Sequence, residues 1–138
     1  MLESMGRDEA NEWRLNAEEM FGRRLRDEPE TFAAFVVEGP SGTVVSSGVG
    51  WISEHLPSTW NVTGRRGHIA SMSTEPAARR QGHARQIMVE LLDWFDVRGI
   101  KRIDLTATSM GEPLYRSVGF ADPGNGLPLV RRAEDVGS

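Results

Sequence analysis

One stretch of sequence decides the fold of this chain: Met72-Ser73-Thr74-Glu75-Pro76-Ala77-Ala78-Arg79-Arg80-Gln81-Gly82-His83-Ala84. A strand-like segment runs there into a proline turn and then into a basic loop that contains glycine. After the loop, apolar residues recur at helical spacing as far as Phe95, and we expect that helix to begin at Arg80 or Gln81. Because the first N–H groups of a helix lack partners and carry partial positive charge, a phosphate docks there readily. The stretch therefore predicts an anion site.

The predicted anion site combines backbone and side-chain donors. Gly82 allows a ligand to approach the backbone closely, and Arg79 and Arg80 add full positive charges beside it. The amides that we assign to the anion are those of Arg80, Gln81, Gly82, His83 and Ala84. An ordinary exposed helix start with solvated arginines has the same local sequence, and the segment by itself does not separate the two interpretations.

A second motif, Leu114-Tyr115-Arg116-Ser117-Val118-Gly119-Phe120, follows about thirty residues downstream, as a βα unit requires. Together with Arg79-x-x-Gly82-x-Ala84 it resembles the GNAT superfamily of acyl-CoA-dependent N-acyltransferases, over roughly residues 31 to 132. The resemblance implies a single α/β domain over residues 1–138, with a mixed, mostly antiparallel twisted sheet flanked by helices. Residues 1–30 would form a helical segment, and residues 31–132 the sheet and the cofactor-binding core. It also implies acetyl-CoA as the acyl donor.

The resemblance assigns cofactor contacts to several positions. In the family the first motif holds the pyrophosphate of coenzyme A, and pantetheine pairs like an added strand with the preceding strand, here the backbone of Met72, Ser73 and Thr74. Thr108 stands where the family often has an Asn that contacts the cofactor, so a contact there would be made by a hydroxyl.

The resemblance also points to two catalytic candidates. Tyr115 matches the family's Tyr beside the thioester sulfur, so it is the candidate general acid for the departing thiolate; a core Tyr that packs a short helix is the alternative. Strand parity puts His68 on one face with Ala70, Met72 and Thr74. His68 stands where many members have a Glu, and an imidazole accepts a proton near neutral pH. A His that caps the end of a strand is the alternative.

The remaining periodicity completes the predicted fold. We expect a helix (Asp8 to Asp27), a hairpin (Thr31 to Glu38 and Thr43 to Ser53), a strand at Gly67 to Thr74, a buried strand at Ile100 to Ala107, a short helix at Pro113 to Val118 and a closing strand at Leu127 to Arg132. Family members usually open with a strand before the hairpin, and no such strand is apparent here. An unpaired sheet edge is usually covered or paired, so we predict a homodimer.

Composition excludes several function classes. The 138-residue chain has a net charge of −4 and no cysteine, so a thiolate nucleophile and a disulfide are impossible, and nucleic acid is not expected as a partner. We expect no membrane span, no metal site and a cytoplasmic location.

The acceptor would be a small-molecule or peptide amine, with the loop around Trp60 as a candidate pocket wall. A non-catalytic acyl-CoA-binding or regulatory module is the alternative function.

Overall fold

The computed structural model describes residues 2–124, 126, 127 and 129–133, with side chains from residue 12 onward except at position 71. The chain forms two compact units, Met1–Thr106 and Ala107–Ser138. The prediction that residues 1–138 make a single domain stays a prediction, and each unit is described by itself.

The first unit contains a four-stranded sheet. Its elements in chain order are α1 (Leu2–Asp27), β1 (Phe32–Glu38), β2 (Val44–Glu54), β3 (Arg65–Thr74), α2 (His83–Val97) and β4 (Ile103–Leu105), with a 3-10 turn at Pro76–Ala78. The strand order is β1-β2-β3-β4; the first two pairings are antiparallel and β3 pairs with β4 in parallel. The predicted hairpin and the mixed, mostly antiparallel sheet are confirmed.

Helix α2 covers one face of the sheet, which we name the packed face. Ile87, Met88, Leu91 and Phe95 are each 1% exposed or less. Glycines on the facing strands allow this close contact, because a Cβ at Gly67 would lie 2.6 Å from the Phe95 ring, and one at Gly50 would lie 2.9 Å from Leu91. Glycine at these positions therefore reflects the closeness of the helix to the sheet.

The opposite face carries a transverse row of paired residues, and we name it the histidine face. Phe32 pairs with Trp51, Trp51 with His68, and His68 with Asp104, so their side chains share one face. Helix α1 contacts this face near its C-terminal end, where the Phe21 ring meets the Phe32 ring edge-on at 5.4 Å. The two helices therefore lie on opposite faces, which confirms that the sheet is flanked by helices.

A β-bulge in β3 overturns part of the predicted strand parity. Ser47 pairs with Ser73, but Val49 pairs with Ala70, so β3 carries one more residue than β2 over this interval. The extra residue reverses the alternation. Met72 consequently faces the packed side, where its Sδ lies over Gly48 and would clash with a Cβ there. The prediction that Met72 and Thr74 share the face of His68 was wrong.

Three other boundaries differ from prediction. Helix α2 begins at His83 rather than at Arg80 or Gln81, because positive φ angles at Arg80 (64°) and Gly82 (81°) interrupt the helical backbone before it. Strand β4 is only three residues long. The closing strand expected at 127–132 is wrong for the described residues 127 and 129–132, which pair with no strand. Proline at position 128 has no N–H for a strand ladder, and Leu129 is 85% exposed.

The N-terminal part of the described chain contains helix alone. Within residues 2–31 no strand precedes β1, which is therefore an edge of the sheet. Helix α1 leaves several large apolar side chains in solvent, with Trp13 at 62% and Leu15 at 63% exposure. No described helix is both long enough and apolar enough to cross a membrane.

Candidate functional site

The segment 75–84, which we name the anion loop, links the end of β3 to the start of α2. The first intrahelical bond of α2 runs from the Gln86 N–H to the Gly82 carbonyl at 3.0 Å. Among the described residues, no acceptor lies within hydrogen-bonding geometry of the preceding amides, those of Gln81, Gly82, His83 and Ala84. These free donors, at the positive end of a 15-residue helix, favour an anion.

Backbone conformation keeps this loop open. Gly82 has φ 81°, and a Cβ added to it would meet nothing within 4 Å, so the space above it is empty. Arg80 also has a positive φ, 64°, although it is not glycine, a conformation that costs about 1 kcal/mol or more. These two left-handed residues flank Gln81, and left-handed residues in such a loop turn neighbouring N–H groups toward one concave side.

The arginines of the loop are placed differently from each other. The Arg79 Nε donates to the Thr74 carbonyl at 3.4 Å, which ties this guanidinium to the end of β3. The Arg80 side chain is exposed and extends into solvent. The Gln81 side chain bonds to its own loop, because its Nε2 donates to the Ala77 carbonyl at 3.4 Å. The predicted anion-binding residues are thus all in one short exposed loop, where Arg79 joins the loop to the strand.

The second half of β3 has an unpaired backbone edge. Strand β4 pairs only with residues 67–69, and the Gly67 N–H donates to the Arg102 carbonyl on that side at 2.8 Å. From Ala70 to Thr74, β3 is paired with β2 alone among the described strands. On this stretch the Ser73 carbonyl already accepts from the Ser46 Oγ and the Thr74 carbonyl from the Arg79 Nε. The polar groups left for an extended ligand beside the anion loop are therefore the others on this edge of β3.

His68 lies on the histidine face among polar neighbours. Its Nε2 is 2.6 Å from the Ser53 Oγ, and the same Oγ is 2.8 Å from the Nε2 of His55. The Trp51 ring stacks on the imidazole with 5.4 Å between centroids and 20° between planes. His68 is therefore held in a fixed orientation within β3, not at the end of the strand as a capping residue would be.

The electrostatic surroundings favour the neutral form of His68. Partial burial lowers its pKa below the ordinary value of 6.5, and the positive fields of His55 and Arg66 lower it further. The Asp104 carboxylate, paired with His68 across β3 and β4, opposes this by raising the pKa. A neutral imidazole at neutral pH can accept a proton, which is the state that a general base needs.

Tyr115 and Thr108 belong to the second unit. Tyr115 lies on α3 (Glu112–Ser117), half-buried, with its ring over Gly111 and edge-on to Phe120 at 6.4 Å. Burial raises its pKa above 10.0, so the phenol keeps its proton at neutral pH. Among the described residues, none hydrogen-bonds the phenol oxygen. Thr108 Oγ1 accepts the Gly111 N–H at 3.2 Å in the turn before this short helix, and its hydroxyl hydrogen is left to donate.

The sequence of residues 2–120 matches the model of the acetyltransferase (GNAT) family. The chain belongs to this family. It is 29% identical over 111 residues to an uncharacterized N-acetyltransferase of Bacillus subtilis (strain 168), YsnE; the match covers 75% of this chain and 74% of that protein. The predicted resemblance is confirmed, and the chain is an acetyltransferase enzyme.

Two solved structures are also similar to this chain. An acetyltransferase from Clostridium acetobutylicum, whose crystal structure contains acetyl-CoA, has a TM-score of 0.72 and 28% identity, and covers 81% of this chain and 71% of that chain. A GCN5-related N-acetyltransferase from Ralstonia eutropha JMP134 has a TM-score of 0.69 and 25% identity, with 89% and 74% covered. The observed sheet and flanking helices agree with these folds.

Three residues near His68 were not singled out as partners by the sequence. Ser53 lies on β2, His55 just after it and Asp104 on β4, and the sheet register brings all three to His68. The spacing Ser53-x-His55 indicates only weakly that the two residues act together. In any strand, every second residue lies on the same face, so such pairs are common. Within the described residues, no group of three or more His, Asp or Glu side chains could hold a metal ion.

Proposed function

We propose that this enzyme transfers an acetyl group from acetyl-CoA to a primary amine of a small molecule or peptide, by direct attack of the amine. The observation that carries the proposal is the anion loop, with its free amides and the empty space above Gly82. The family supports it, as does the acetyl-CoA in the similar Clostridium acetobutylicum structure.

The chain fits coenzyme A in two respects. A pyrophosphate needs several N–H donors and positive charge without a side chain in the way, which the loop offers at Gly82 and Arg79. Pantetheine is extended and carries amides, which match the unpaired edge of β3 from Ala70 to Thr74. When bound, acetyl-CoA supplies a thioester, whose carbonyl carbon is the electrophile.

Protein groups supply proton transfer and charge stabilisation in this proposal. His68, neutral at working pH, removes a proton from the acceptor ammonium and leaves a nucleophilic amine. A backbone N–H on the free edge of β3 donates to the carbonyl oxygen as it gains negative charge. Tyr115 then donates its phenol proton to the departing thiolate; its raised pKa keeps that proton in place until then. With no cysteine in the chain, we propose no covalent acyl-enzyme.

A screen for thiol release from acetyl-CoA, run over a panel of amines, tests this function. We expect at least one amine to release coenzyme A stoichiometrically with the acetylated product. Tyr115→Phe should slow turnover by about a hundredfold, the lower end of general acid catalysis, and leave coenzyme A affinity nearly unchanged. Coenzyme A binding without turnover of any amine would instead identify a non-catalytic acyl-CoA-binding module.

The proposal extends to assembly and location. Edge strand β1 and the exposed apolar side chains of α1, including Trp13 and Met20, favour a homodimer in which these elements are covered. Light scattering should give twice the 15.3 kDa chain mass, and a monomer at micromolar concentration would contradict the dimer. The absence of cysteine is compatible with a cytoplasmic location, and neither nucleic acid nor a membrane is proposed as a partner.

A further inference from the structure

One serine hydroxyl on the histidine face bridges two imidazoles. Ser53 Oγ lies 2.6 Å from the Nε2 of His68 and 2.8 Å from the Nε2 of His55. A hydroxyl has one hydrogen and two acceptor lone pairs, so with both rings neutral it donates to one Nε2 and accepts the N–H of the other. The two histidines must then be opposite tautomers. The two hydrogen bonds therefore donate in the same direction, from one imidazole to the hydroxyl and from the hydroxyl to the other imidazole.

We propose that Ser53 and His55 form a relay that carries to solvent the proton that His68 takes from the acceptor amine. The inference rests on the proposed function, since His68 is the base in it. Its geometry leads outward: His68 is half-buried, whereas His55, just beyond the end of β2, is exposed. Two hydrogen-bonded transfers therefore carry a proton from the partly covered ring of His68 to the exposed ring of His55, which then releases one to water.

The transfers balance atom by atom. The Nδ1 of His68 accepts the proton of the ammonium, and its Nε2–H passes a proton to Ser53 Oγ. Ser53 passes its own hydroxyl proton to the Nε2 of His55, whose Nδ1–H then loses a proton to water. At the end both rings are neutral, and each has exchanged its tautomer. Return to the starting tautomers occurs by exchange with solvent before the next turnover.

The charges around the relay favour transfer away from His68. Arg66 on β3 and His55 both lower the pKa of His68, so its imidazolium is a transient state that releases its proton readily. Asp104 on β4 stabilises the imidazolium form of His68 and so raises its pKa. Its carboxylate is itself paired with Arg102 at 3.2 Å, and this positive charge weakens the attraction between Asp104 and the imidazolium. Trp51, stacked on the ring, contributes no titratable group and fixes the orientation of the imidazole.

Kinetics on an amine that the wild-type enzyme acetylates tests the relay. Ser53→Ala and His55→Gln should each lower kcat about tenfold with little change in KM, since they break proton removal and not binding. Ser53→Thr keeps the hydroxyl and should restore most of the rate. Added imidazole should partly rescue His55→Gln. Ser41→Ala, in the exposed turn before β2 where its hydroxyl meets only Thr43, is the matched control and should match wild type.

Nitrogen-15 NMR of the free protein gives a second readout that needs no cofactor. The chain has three histidines, so single substitutions assign each ring. At a pH where both rings are neutral we expect His68 as the Nε2–H tautomer and His55 as the Nδ1–H tautomer, and Ser53→Ala should abolish this preference. The same tautomer in both rings would overturn the relay, as would unchanged kcat and pH profile in Ser53→Ala. Wild-type protein that acetylates no amine would instead refute the proposed function.

Discussion

The packed face and the histidine face belong to the same strands but present opposite chemistry. On the packed face, β2 and β3 contribute glycines against buried Leu91 and Phe95, and the polar pair of Ser46 and Thr74 lies at the far end of the two strands. On the histidine face the same two strands contribute Ser53 and His68, joined by a hydrogen bond. The comparison teaches that helix packing on one side fixes the strands. The alternate residues of the same strands can then carry the polar groups that we propose for catalysis.

The strongest test of this division is the removal of a packed-face side chain. Phe95→Ala deletes a fully buried ring and should reduce the free energy of unfolding by about 3–5 kcal/mol, because it leaves a cavity against Gly50 and Gly67. Urea denaturation measures the change. Val97→Ala, on the same helix but 76% exposed, should stay within about 0.5 kcal/mol. Equal effects of the two would show that α2 does not carry the core.

Glycine in the anion loop serves a different purpose from the glycines on the packed face. Gly82 has open space around its Cβ position, so no packing requires glycine there. Its φ of 81° favours glycine, and the absence of a side chain leaves room for a ligand at its N–H. Gly82→Glu should weaken coenzyme A binding at least a hundredfold, because it places a side chain and a negative charge where the phosphates would bind. Isothermal calorimetry measures this affinity.

Gly99→Glu is the matched control for that change. Gly99 has φ 72° and equally open surroundings, but it lies at the other end of α2. It should lose a similar amount of stability to backbone strain and still bind coenzyme A. Retained affinity in Gly82→Glu would refute the anion loop, and lost affinity in both variants would mean that strain in α2, and not the ligand site, is responsible.

The sequence predicted local features well and long-range ones poorly. Helix α2, its terminal Gly99 and the turn before Gly82 follow from periodicity and backbone preference within a few residues. The bulge in β3 has no sequence signal of its own, because it arises where two strands differ by one residue in register. The contact between Ser53 and His68 likewise depends on how the loop between β2 and β3 sets that register.

The histidine face should respond to pH in a direction that its charges determine. As the proposed base, His68 acts when it is neutral, so kcat should rise with pH through its lowered pKa, with the midpoint of the rise below pH 6.5 and a plateau at higher pH. Asp104→Asn removes the carboxylate that raises this pKa, and the acid limb of the profile should move to lower pH. The plateau should fall severalfold, because a weaker base removes the proton less readily.

Two further variants make this pH prediction specific. Arg66→Gln removes a charge that lowers the pKa of His68 and should move the acid limb upward, opposite to Asp104→Asn. Glu54→Gln removes an exposed carboxylate at the end of β2 that does not influence that pKa, and should leave the limb in place. If Asp104→Asn moved the limb upward, or if neither variant moved it, another group would be the base.

The smallest expected effect is the dependence of coenzyme A affinity on salt, and it separates the charges of the anion loop from its amides. Exposed charges are screened over about 10 Å at 0.1 M salt and about 3 Å at 1 M, whereas direct amide bonds to phosphate are less affected. Affinity should therefore fall severalfold between these concentrations.

Arg79→Gln should flatten this dependence on salt more than Arg80→Gln does. The reason is that Arg79 is already anchored to the Thr74 carbonyl and loses less side-chain freedom on binding. Arg26→Gln, far along the chain on α1 and 71% exposed, should keep the wild-type slope. A wild-type affinity that does not change with salt would mean that the backbone of the loop holds the anion alone.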